Sequence, residues 1–229
     1  MSADGRTWGR RVVAAALVGL AACAGPRSEQ EIKGEPASPA AQDKAEEALA
    51  GRGALEQALE GLPASLAALR SSQEAQRFGE IKGIASLLTP RPLPLENGEI
   101  SAIPATPGLE AALRRVHRRW VAQGRRPFSQ DQFQGVLELL NRYVQGVKLA
   151  GGGRFVRFTK TDKSGNFAFP KLPAGRWVLA TDLSSPISAI FWAVTGAVQD
   201  DSTVRILLGD HNMLMEGLKS AAPEGEKRP

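Results

Sequence analysis

Leucines fall at positions 55, 59, 62, 66 and 69, alternating steps of four and three that predict helix, and Phe78, Ile81, Ile84 and Leu88 continue the period into another short helix. Gly51, Gly53, Gly61 and Pro63 interrupt the run, so residues 45–88 read as short amphipathic helices rather than one coiled coil. The prolines of TPRPLPLENG, residues 89–98, force an extended path and end the helical pattern. GEISAIPA, residues 98–105, alternates as a strand does. Thr106-Pro107 then supplies an N-cap and a proline at the first helical position, and Leu109, Leu113, Val116 and Trp120 form the inner stripe of that helix. Ser129-Gln130-Asp131-Gln132 is a capping box for a second helix carrying Phe133, Val136, Leu140, Val144 and Val147. Gly151, Gly152 and Gly153 close it; no phosphate-loop spacing surrounds them, so they read as a turn into the next strand.

From residue 154 to 208 the pattern changes to short runs, RFVRFTKT, GNFAF, GRWVLATDL, ISAIFWAV and STVRILL, divided by Gly, Pro, Asp and Ser. Asp162, Lys163, Ser164, Gly165 and Asn166 supply the residues of a tight hairpin between two of them. Phe167 and Phe169, two apart, share one face, and Leu172-Pro173-Ala174-Gly175 turns the chain into the strand of Trp177 and Leu179. Asp162, Ser164 and Asn166 suggest a calcium loop, but the spacing fails. The EF-hand glycine belongs at the sixth position, Gly165 is fourth from Asp162, and Pro173 occupies the place of the bidentate Glu.

The stretch TDKSGNFAFPKLPAGRWVL, residues 161–179, resembles the carboxypeptidase regulatory-like domain, a transthyretin-like β-sandwich. Thr161, Asp162, Gly165, Phe167, Phe169, Leu172, Pro173 and Gly175 carry the resemblance, and Trp177 stands where that family has tyrosine. It implies an antiparallel β-sandwich, which with the helical patterns above gives an expected α+β chain: the sandwich over 95–212 with a helical pair inserted at 107–147, preceded by the short helices of 45–88 and followed by a polar tail at 213–229. The family's opening strand, with its G-x-V-x-D pattern, is not visible before Phe155. The module is the noncatalytic companion of a zinc peptidase, so the resemblance implies binding rather than hydrolysis.

Near the N-terminus Arg10-Arg11 precede VVAAALVGLAA, residues 12–22, an apolar run far short of the roughly 20 residues a helix needs to span a bilayer. With small residues after it, the run reads as a secretory signal. Leu20-Ala21-Ala22-Cys23 resembles the lipobox of bacterial lipoproteins. That implies a signal peptide at 1–22, cleavage before Cys23, and diacylglycerol on its thiol, with two or three acyl chains holding the protein on the membrane. Residues 26–44, rich in Pro and charge and without aromatics, read as a flexible tether that completes a 23–44 anchor segment. The expected location is extracytoplasmic and lipid-anchored, with Ala24 rather than Asp after the cysteine pointing to the outer membrane.

Composition narrows the chemistry. One core is expected from 229 residues that are 42% hydrophobic, and a single cysteine excludes an intrachain disulfide or a multi-thiolate metal site. His117 and His211 lie in neither H-x-x-E nor H-E-x-x-H, no G-x-S-x-G elbow occurs, and nothing marks Glu110 and Glu138 as a working pair of carboxylates. No catalytic residue, metal or cofactor is expected beyond the covalent lipid. The net charge of +5 is modest, and export argues against nucleic acid. Arg114, Arg115, Arg118 and Arg119 pair at i,i+4 opposite the apolar stripe, with Arg125-Arg126 following. They are the candidate contact for an anionic surface, phospholipid headgroups or an acidic envelope polymer. The expected role is a noncatalytic binding or scaffolding module whose partners are membrane lipid, through the anchor, and an envelope protein or polysaccharide. The alternative is an accessory protein that binds carbohydrate or peptide for a separate hydrolase.

Overall fold

The computed structural model describes residues 52–87, 92–185 and 188–218. The signal run, Leu20, Ala21, Ala22, Cys23 and the tether lie outside them. Four α-helices are described: α1 (Arg52–Leu59), α2 (Leu62–Glu74), α3 (Pro107–Ala122) and α4 (Gln130–Val147). The strands are β1 (Phe78–Leu87), β2 (Leu93–Pro94), β3 (Glu99–Pro104), β4 (Arg157–Lys160), β5 (Asn166–Pro173), β6 (Gly175–Ser184), β7 (Ser188–Val198), β8 (Thr203–Leu208) and β9 (Met215–Leu218).

These make a mixed α+β fold of two open sheets. One sheet runs β4-β3-β6-β7-β9, all antiparallel. The other is centred on β1, with β5 antiparallel on one edge, β8 parallel on the other, and β2 joined to the end of β1. The sheets face each other, and α1, α3 and α4 form a layer against the outer face of the five-stranded sheet. In that sheet Ile100 to Pro104 of β3 and Trp177 to Thr181 of β6 are buried without a break, as strands covered on both faces must be. The four-stranded sheet keeps the alternation of a half-exposed sheet: Ile206 and Leu208 are buried, Arg205 and Leu207 exposed.

Local chemistry fixes the helices. Gly61, at φ 78°, and Pro63 separate α1 from α2. Thr106 caps α3 by accepting from the Leu109 N–H at 3.0 Å, and its hydroxyl donates to the Ala58 carbonyl, which ties α1 to the start of α3. Gly108 permits that crossing, because a Cβ there would lie 1.6 Å from the Gln57 carbonyl oxygen. Ser129 and Gln132 form the reciprocal capping box of α4. Tyr143 of α4 donates to the Pro104 carbonyl at 2.8 Å, and burial raises the pKa of its phenol, which stays protonated. Leu109, Leu113, Val116 and Trp120, and Phe133, Val136, Leu140, Val144 and Val147, are all buried, so both inner stripes hold.

Three local expectations fail. Residues 78–87 are strand β1 and not a helix: Ile81, Gly83 and Ala85 point inward while Lys82 and Ile84 face out. A three-residue spacing such as Ile81 to Ile84 mimics a helix, but Gly79 and Gly83 weaken helix, and both edges of this segment find partner strands. The residues 162–166 do not form a hairpin, because β4 pairs with β3 in one sheet and β5 with β1 in the other. They are an arch between sheets. Finally, the segment expected to be a polar tail contributes β9, which pairs with β7 and closes the edge of the five-stranded sheet.

Candidate functional site

The arginines of α3 do not share one patch. A helix turns 100° per residue, so Arg114 and Arg118 lie on one stripe and Arg115 and Arg119 on the next. Arg115 donates to Gln57 Oε1 of α1 at 2.9 Å, and Arg119 is half-buried and already engaged. Arg114 and Arg118 instead border a groove of about 540 Å³ between α3 and the outer face of β7, together with His117, Arg176, Thr195 and Met213.

Glu110 organises this groove. Its carboxylate, 6% exposed in the first turn of α3, accepts from Arg176 Nε and Nη2, both at 2.7 Å, and from Arg114 Nη1 at 3.5 Å. The position near the helix N-terminus suits a negative charge. The bidentate hydrogen bonds raise the pKa of the Arg176 guanidinium above its already high value, so this cation never titrates in ordinary conditions. Arg118 has no hydrogen-bond or ion-pair partner among the described residues. The groove therefore carries three arginine cations against one buried carboxylate, an arrangement suited to holding an anion. The sequence marked Arg114 and Arg118 but missed Arg176 and the role of Glu110. Strand alternation does place Arg176 on the face opposite Trp177; that α3 packs on that face is a tertiary fact.

The residues of 161–177 do structural work. Asp162 Oδ1 accepts from the Ser164 and Asn166 backbone N–H groups at 2.8 Å each, and the Asn166 side-chain amide donates to both its carboxylate oxygens. The Asn166 side chain first, then its backbone N–H, lower the pKa of this exposed carboxyl. The Asp162 carboxylate thus holds the arch together through its own hydrogen bonds. Gly165 sits at φ 77°, where a Cβ would also lie 2.3 Å from the Ala85 carbonyl oxygen. Thr161 accepts from the Gly98 N–H at 2.8 Å and donates to the Leu95 carbonyl. Phe167 and Phe169 pack edge to face between the sheets, Leu172 and Pro173 are buried, and Trp177, fully buried, donates to the Pro173 carbonyl at 3.1 Å. Gly175 lies under Leu69 of α2, where a Cβ would come within 2.5 Å of that side chain.

His211 is exposed and lies within 3.3 Å of the Asn212 amide; His117 flanks Trp120 with ring centroids 6.1 Å apart. Glu138 pairs with Arg142 at 2.7 Å on the surface of α4, on a different helix from Glu110. Two further hollows are lined by described residues. An apolar cavity of about 330 Å³ between the sheets is lined by Leu87, Leu95, Leu183 and Trp192. An open groove of about 730 Å³ crosses the outer face of the four-stranded sheet, past Lys82, Ile84, Lys160, Arg205 and Leu207.

No protein-family model matches the chain, and no curated protein matches it. Among solved structures it is similar to the crystal structure of a proposed carbohydrate binding protein from Pseudomonas aeruginosa. The identity is 18% and the TM-score 0.34, over 57% of this chain and 88% of that one.

Proposed function

We propose that this chain is a noncatalytic binding module of the bacterial envelope, built on a sandwich of the carboxypeptidase regulatory-like kind and anchored through lipid on Cys23 at the outer membrane. The observation that carries the binding reading is the Glu110-held pair of arginines lining a concave groove. Arginine keeps its proton throughout the physiological range, so these groups recognise charge and do not perform acid–base chemistry. The anchor rests on Leu20-Ala21-Ala22-Cys23 at the end of an apolar run.

Cys23→Ala tests the anchor. Cells fed radiolabelled palmitate should label the unmodified chain, and the variant should lose the label and accumulate as precursor. Labelled, processed, membrane-bound variant would overturn the anchor. Crosslinking in intact cells tests the binding role: an envelope component should be recovered with the unmodified chain and lost when Arg114 and Arg118 are both replaced by Gln. Recovery unchanged by that double replacement would overturn the groove as the binding surface.

A further inference from the structure

We infer that the groove under α3 binds a phosphate monoester, with Arg118 as its principal ligand and Arg114 and Arg176 completing the charge. The inference rests on the groove being a binding surface and adds the class of ligand. Three observations carry it. The first is charge balance: Arg114, Arg118 and Arg176 against Glu110 leave a net +2 in the groove. A phosphate monoester carries about −1.5 to −2 near neutral pH, which matches, whereas one carboxylate leaves half the charge unmet.

The second is donor availability. Glu110 occupies Nε and Nη2 of Arg176, leaving its Nη1 donors, and it draws on only one nitrogen of Arg114 at a long 3.5 Å. Arg118 keeps its whole fork free of described partners, and an intact guanidinium fork fits two phosphate oxygens side by side. Glu110 therefore works as a positioning residue: it fixes two cations at the wall and leaves the third to grip the ligand.

The third is shape. A planar membrane surface meets protruding side chains, while Ala193, Thr195 and Leu214 lie on the floor of a hollow of about 540 Å³, within the usual range of small-ligand sites. The remainder of the ligand, behind its phosphate, meets this mixed apolar and hydroxyl-bearing floor. The phosphate could be presented by a soluble sugar or polyol phosphate, or by a lipid headgroup lifted from the bilayer, and the experiment separates these sources.

The full chain, purified in detergent, is titrated calorimetrically with glycerol 3-phosphate, with glycerol, and with polygalacturonate. The same protein is tested for sedimentation with phosphatidylcholine vesicles containing phosphatidic acid. Saturable binding of glycerol 3-phosphate, absent with glycerol, weakened at least tenfold by Arg118→Gln and unchanged by Arg115→Gln, is the expected result and assigns a soluble source. Vesicle binding with the same dependence on Arg118 and not Arg115, without soluble-ligand binding, assigns a lipid source. No saturable binding to either phosphate probe overturns the inference. So does equal weakening by Arg115→Gln, which would mean diffuse surface charge, or binding of polygalacturonate that phosphate does not displace. If the phosphate arms fail while the envelope crosslink still depends on Arg114 and Arg118, only the ligand class falls; if the crosslink is also independent of them, the groove reading falls with it.

Discussion

The two sheets carry similar numbers of strands but bury them differently. The five-stranded sheet lies between a helical layer and its partner sheet, and its central strands β3 and β6 are buried on both faces. The four-stranded sheet is covered only on its inner face, leaving Ile84 at 44% and Leu207 at 47% exposure on the other. The difference teaches where tolerance lies: a substitution on the inner layer removes packing from two elements, and one on the open face removes little. It also separates structure from recognition. The residues with the family-like pattern hold the sheets together, and the cations sit where the helical layer leaves the five-stranded sheet uncovered.

The largest effect should come from Trp177→Ala, which empties a fully buried site of β6 and removes the hydrogen bond to Pro173. A loss of about 3–5 kcal/mol in denaturant-measured stability is expected; a loss under about 1 kcal/mol would break the contrast between sheets. Arg176→Ala should cost about 1–3 kcal/mol, because it strips the buried Glu110 carboxylate of its two short bonds and leaves only the long one from Arg114. Thr106→Ala should cost about 0.5–2 kcal/mol through the lost cap of α3. On the open face, Ile84→Ser should stay within about 0.5 kcal/mol of the unmodified protein, and a larger loss would mean that something covers this face.

The effect at Asp162 depends on pH. Its carboxyl has a lower pKa folded than unfolded, so its contribution is present above the unfolded value of about 3.9 and is lost as pH falls through the folded one. Asp162→Ala should narrow the melting-temperature gap to the unmodified protein only below about pH 4, and the gap at neutral pH should be far smaller than that of Trp177→Ala. A calcium-dependent rise in melting temperature that disappears in Asp162→Ala would instead restore the calcium loop.

Periodicity made α3 and α4 legible with their caps, because Thr106-Pro107 and Ser129 to Gln132 are local signals that tertiary packing did not override. The strands from 157 to 208 were legible for the same reason. The pairing was not. Asp162 to Asn166 has the composition of a hairpin and serves as an arch, because turn chemistry specifies a bend and leaves open which sheet receives the next strand. β1 was misread because Phe78, Ile81 and Ile84 match a helical step, while the deciding fact, two strands waiting on its edges, lies more than 80 residues away in β5 and more than 110 away in β8. β9 escaped notice because four residues hold too little pattern. In the groove, the helical spacing of Arg114 and Arg118 could be read directly, but Arg176 joins them across 66 residues of chain through Glu110.

Native-state amide hydrogen exchange tests the contrast between sheets most directly. In the full chain, the backbone amides of β3 and the central part of β6 should exchange slowest, near the rate set by global unfolding, and those of the edge strand β8 should exchange faster through local opening. Protection of β8 equal to or greater than that of β3 and β6 would contradict the account.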